Sequence, residues 1–136
     1  MASIPSFHDA KLIGVALDGK RATLIVMQVN GEKWQVAIHD VQALQMDEFR
    51  EGNIISYFEA VSGEKVPRNV LEILFTPPHP SAAEEYHAAH ARLLDAKSAL
   101  VQAGEAVLVM ITPSYGAEFA AFGAAFDAFP VTIDGS

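Results

Sequence analysis

Glu84, His87 and His90 are the residues whose types and spacing come nearest to a chemical site. They lie in the run Glu84-Glu85-Tyr86-His87-Ala88-Ala89-His90. Glu84 and His87 form a Glu-x-x-His pattern and His90 follows three residues on. On a helix all three can approach one point, which makes them candidate ligands for a metal of the zinc or iron type. In carboxylate-bridged di-metal bundles the pattern occurs twice and draws further carboxylates from other helices. Here it occurs once, without a four-helix pattern, so a metal would need ligands from elsewhere in the chain. With Leu93 at the centre of the buried face, His90 falls about 60° away at the core edge and His87 about 120° away in solvent. The plainer expectation is histidines that serve the fold.

Two more histidines stand beside carboxylates, His8-Asp9 and His39-Asp40. A carboxylate can tune an adjacent imidazole into a general base. Neighbours on a strand point to opposite faces, however, so each pair reads first as a turn-forming Asp next to a polar His. A histidine site would require His90 to meet His8 or His39 in a pocket between helix and sheet. Ser62 and Ser114 lack a Gly-x-Ser-x-Gly setting, and no Gly-rich phosphate loop is present. The chain has no cysteine, which removes thiolate nucleophiles, disulfides and cysteine-bound zinc. No catalytic residue is assigned, no cofactor is expected, and the balance is against an enzyme.

The elements that would position these residues begin with a meander over Ala10–Asp40. Leu12–Leu17 runs into Asp18-Gly19, Thr23–Val29 into Asn30-Gly31, and Trp34–Asp40 alternates Trp34, Val36 and Ile38 against Gln35, Ala37 and His39. Asp-Gly and Asn-Gly are strong hairpin signals because Gly takes positive φ without steric cost. Val41–Arg50 reads as a loop with one helical turn. Asn53–Val61 is expected as a fourth strand, Ser62–Lys65 as a turn, and Asn69–Phe75 as a fifth strand facing the core with Leu71, Ile73 and Phe75. Thr76-Pro77-Pro78-His79-Pro80 is a rigid connector.

Ser81 and Glu84 make a capping box for a helix of about 22 residues. Its apolar line is Tyr86, Leu93 and Leu100, flanked by Ala82, Ala89, Ala96 and Ala103, and Gly104 stands where a left-handed cap is expected. Ala106–Thr112 is a buried strand stopped by Pro113. Phe119, Phe122, Phe126 and Phe129 fall at helical spacings and favour a short helix, with strand pairing as the alternative; Pro130–Ser136 adds a last short strand. The fold class is α+β, a single domain over residues 1–136. A curled antiparallel sheet of five to six strands is packed against one long helix.

The 136 residues are 51% hydrophobic and carry a formal net charge of −8, a globular composition that phosphate backbones repel. Nucleic acid is therefore not an expected partner. The opening lacks the basic start and apolar core of a signal peptide, and Phe119–Phe129 is too short to span a membrane. A soluble cytoplasmic protein is expected. Phe7-His8-Asp9-Ala10 entering an apolar first strand resembles the opening of several small bacterial families, some grouped with immunity proteins of delivered toxins. That resemblance implies a protein partner and carries no site residues across. The reading is a non-catalytic interaction module, immunity-like, acting through its acidic surface or a sheet edge, with a homodimer compatible. The alternative is a small-ligand or metal-binding protein built on the histidines.

Overall fold

The computed structural model describes residues 5–131. β1 (Lys11–Asp18), β2 (Arg21–Met27) and β3 (Lys33–His39) form the expected antiparallel meander. Gly19 at φ 59° and Gly31 at φ 88° make its turns. Leu24, Val26, Val36 and Ile38 face inward and are fully buried. Phe7, ahead of β1, meets Trp34 edge-on at 6.0 Å and Phe58 at 5.0 Å. Phe7 is therefore part of the core, with 2% of its surface exposed.

Four stretches depart from expectation, and with them the sheet has eight strands where five to six are expected and the helices number two where one is expected. Ala43–Asp47 is a strand, β4, pairing with Glu118–Gly123; Leu44 and Met46 pack on the core and Gln45 and Asp47 face out. Arg68–Leu74 is a short helix, α1, where a strand is expected. Val70, Leu71 and Leu74 pack inward at helical spacing, while Ile73 is 46% exposed. β6 (Val107–Tyr115) runs through Pro113, which sits at a register irregularity in the ladder with β5 (Asn53–Val61). Irregularities of this kind are where a strand tolerates proline. The Phe-rich tail is two strands, β7 (Glu118–Gly123) and β8 (Ala125–Pro130), and not a helix. Pro130 ends β8, and the final strand expected beyond it lies mostly outside the described residues.

The eight strands are ordered β4-β7-β6-β5-β1-β2-β3-β8. β4 continues β3 after a three-residue kink, and β8 continues β7 after Ala124. The two terminal strands of that order are thus the bent ends of interior strands, and the sheet closes on itself as a ring of six staves in which β3–β4 pairs with β8–β7. Asp40 at φ 52° makes one kink, and Gln42 N–H to Phe122 O and Ala124 N–H to His39 O carry hydrogen bonding across it. Gly123 allows the other: a Cβ there would stand 2.7 Å from His39 O and 2.9 Å from Ile38 Cγ2. Closure leaves β1 and β5 staggered, paired only at Lys11–Ile54 and Leu12–Asn53. Leu12, Ile55, Val109, Ile111, Phe119 and Ala121 fill the interior with the meander residues.

α1 and α2 (Glu84–Gln102) form a layer on the outside of β6 and β7, over Leu108, Met110 and Phe122. The capping box does not form: Ala83 is the N-cap with no side-chain cap bond. Ser81 is engaged with His79 Nδ1, Oγ at 2.6 Å and N–H at 3.0 Å. At the other end Gly104, φ 78°, lets its own N–H reach Val101 O and Glu105 N–H reach Leu100 O, the Schellman pattern. The buried line is Leu94 and Val101, one residue round from the expected one, leaving Leu93 40% and Tyr86 60% exposed. Two heptad lines run side by side here, and the one that docks begins at His87. Among the described residues no helix is long and apolar enough to cross a membrane.

Candidate functional site

The five histidines divide among separate tasks. Glu84 is exposed in the first turn of α2, and His87 is half-buried on the line of Leu94 and Val101. His90 donates Nε2–H to Phe75 O at 2.7 Å, fastening α2 to the end of α1. His8 donates Nδ1–H to Ser56 O at 2.7 Å, with Asp9 3.7 Å from its other nitrogen. His39 donates Nε2–H to Asp127 at 2.9 Å across the β3–β8 seam, so its carboxylate is not the adjacent Asp40. His79 accepts from Ser81. His8, His39 and His90 thus bond to three different elements, and among the described residues no group of three His, Cys, Asp or Glu side chains gathers to hold a metal ion. With Nε2 engaged on a half-buried carbonyl, His90→Ala is expected to lower unfolding free energy by about 1 kcal/mol, read by chemical denaturation.

The Phe row is core, as its spacing permits, but on two sides of one sheet. Phe119 (1% exposed) and Phe126 (7%) point into the barrel, while Phe122 (1%) points out under the helices; Phe129 stays 42% exposed.

The best-formed concavity lies elsewhere, where α1 crosses the outer faces of β4, β7 and β6. It is a cleft of about 230 Å³. α1 supplies one wall through Val70 and Ile73, and Met110 of β6 adds apolar floor. Strand alternation then fixes the mouth. The residues pointing outward beside Met110 are Thr112 on β6, Gln45 and Asp47 on β4, and Glu118 on β7. Asp47 and Glu118 are directly opposed in the β4–β7 ladder, a like-charge arrangement that works against the sheet. Gln45 donates to Asp47 at 3.3 Å. Neither carboxylate meets a Lys, Arg or His among the described residues. The nearest cation in sequence, Arg50, is committed to Glu48 at 2.6 Å. That hydrogen bond, then the Glu48 charge, raise its pKa further above its ordinary value.

Beside the cleft, Asn53 holds the loop geometry in place. Among the described residues it is the buried polar side chain of the core, 2% exposed. Its Nδ2 donates to Leu12 O at 3.1 Å, and its Oδ1 accepts from Arg50 N–H at 2.7 Å and Ala117 N–H at 3.0 Å. One amide thus ties β1, the β4–β5 loop and the β6–β7 turn together. Gly116, φ 84°, makes room for it, since a Cβ there would land on the Asn53 amide. Neither Asn53 nor the carboxylate pair stands out in the sequence. The only available signals were an amide opening a buried strand after Gly52 and an isolated Gly116 before Glu118. Asp47 and Glu118 lie far apart in sequence and meet only through the closing ladder. No family model, curated protein or solved structure matches the chain.

Proposed function

We propose that this chain is a non-catalytic protein-interaction module that grips a basic side chain of a partner protein in the α1 cleft. The observation that carries the reading is the pair Asp47 and Glu118, opposed across a ladder at the mouth of an apolar-walled cleft without a cation between them. An incoming Arg or Lys would lay its aliphatic stem on Ile73 and Met110 and bring its charge between the carboxylates, an arrangement of charge-assisted hydrogen bonds. The net charge of −8 favours approach of such a partner. The likeness of Phe7–Ala10 to immunity-protein families supports a toxin as the partner.

The test is titration of isotope-labelled protein with an Arg/Leu peptide, its Gln/Leu counterpart and an acidic control. Amide shifts in β4, β7 and α1 are expected with the basic peptide alone, weakening as salt screens the charges. The double variant Asp47→Asn/Glu118→Gln should bind about tenfold or more weakly. It should also be more stable than the parent by about 0.5 kcal/mol, because opposed like charges are gone. Shifts outside the cleft, or binding indifferent to the double variant, would sink the reading.

A further inference from the structure

β1 is paired along its whole length on one side and almost unpaired on the other. β2 accompanies it from Lys11 to Asp18, whereas β5 reaches only Lys11 and Leu12. From Ile13 to Asp18 the outer edge has no strand beside it. The tight turn at Gly19-Lys20 makes Asp18 and Arg21 a hydrogen-bonded pair, so Asp18, Ala16 and Gly14 turn their main-chain groups toward β2. Val15 and Leu17 therefore direct their N–H and C=O groups outward. Such a row of donors and acceptors is completed by another extended strand.

The edge carries one blunting device, the register irregularity between Leu12 and Gly14 at its start; from Val15 to Leu17 it is apolar. Leu17 is 64% and Ile13 41% exposed, with Phe49, 45% exposed, beside the Ile13 end. The contrast is β8, whose partnerless edge carries Pro130, a residue that removes a donor there.

The ends of the free edge differ in charge. At one end is the hairpin tip, where Lys20 and Arg21 outnumber Asp18 by one charge; at the other is the Phe49–Gly52 loop, where Glu48 and Glu51 outnumber Arg50 by one. Arg50 in that loop is already neutralised by Glu48, leaving Glu51 as the uncompensated charge. From these observations we infer that β1 is a homodimerisation strand. A second copy pairs antiparallel with it about a two-fold axis at Ala16, setting Val15 opposite the partner's Leu17. The two-fold lays each basic tip on the other copy's acidic loop, so the attraction is made twice. Val15 and Leu17 share one face, as residues opposed in a ladder must. The α1 cleft plays no part in this contact.

The test is the mass of the full chain in solution from micromolar to submillimolar concentration, with amide exchange read on the same samples. A monomer–dimer equilibrium is expected, with the Val15 and Leu17 amides becoming protected as the dimer fills. Leu17→Lys, at an exposed position, should weaken it about tenfold or more. Lys20→Glu and Glu51→Lys should each weaken it, and the double variant Lys20→Glu/Glu51→Lys should restore it, a rescue that a merely structural role would not give. Asp47→Asn/Glu118→Gln should leave the dimer unchanged, which separates this inference from the cleft reading. A chain that stays monomeric throughout overturns the inference. So does a dimer indifferent to Leu17→Lys, or protection of these amides only when an extended Thr-Val repeat peptide is added to a monomer.

Discussion

Asn53→Ala is expected to lose about 3 kcal/mol of unfolding free energy or more, measured by urea denaturation with an unchanged slope. The amide makes three hydrogen bonds to main-chain groups from three segments. The substitution strands donors such as the buried Ala117 N–H, and an unsatisfied buried group costs about 1–3 kcal/mol. Asn53→Asp is no remedy, because it removes the donor to Leu12 O and introduces a charge into a site 2% exposed. The position is coupled to Gly116. In the parent chain Gly116→Ala sets a methyl against the Asn53 amide and forces a side chain into the left-handed region at φ 84°. Once Asn53 is alanine the collision with the amide disappears, leaving a tight 3.1 Å approach to the Cα of residue 53 and a backbone strain of about 1 kcal/mol. The double variant should therefore be less destabilised than the two single effects added together, a coupling that a double-mutant cycle reads directly.

Phe122→Ala is the second large effect, expected at about 3–5 kcal/mol, as for other large buried aromatics. Phe122 is 1% exposed and meets Phe75 edge-on with centroids 5.6 Å apart. The Lys97 ammonium stands 5.4 Å from both rings while donating to Gln42. The ring is thus the fastening between the barrel wall and the helical layer, and its loss should fall unevenly. Amides of α1 and α2 should lose protection from exchange first, with those of β1–β3 retaining theirs, because the cluster around Leu94, Val101 and Leu108 is separate from the barrel interior. Phe122→Leu keeps most of the volume and should recover most of the loss.

What could be read in the sequence follows from how local the determinants were. The hairpins β1–β2–β3 are specified by Asp18-Gly19, Asn30-Gly31 and single-strand alternation, and their bounds match to within about two residues. β5 matches end to end. The errors have a common physical origin in burial on two sides. β7 is covered by the core on one face and the helices on the other, so Phe119 and Phe122 are both buried though they point oppositely. The kink after Gly123 then changes parity, and the resulting spacing imitates a helix. Leu71, Ile73 and Phe75 alternate like a strand, yet seven residues after Pro67 suffice for a helix whose inward residues are Val70, Leu71 and Leu74. On α2 two adjacent heptad lines compete, and the winning one contains His87, a residue a sequence reader assigns to solvent. The candidate cleft was invisible for a different reason. Its carboxylates come from β4 and β7, strands brought side by side only when the sheet closes.

The helical layer is also a topological insertion. β5 and β6 are neighbours in one ladder, with Val61 opposite Leu108, so both helices are carried by a single excursion that leaves the barrel and returns to almost the same place. Gly63 N–H donating to Val101 O helps hold the two ends of that excursion together. Lengthening a closed loop costs little, about 0.6 kcal/mol per doubling, so the barrel tolerates wide variation in what it carries there. The cleft is walled by that cargo on one side and by permanent strands on the other. Exchanging the excursion therefore changes one wall of the cleft, while the carboxylates on β4 and β7 stay with the barrel.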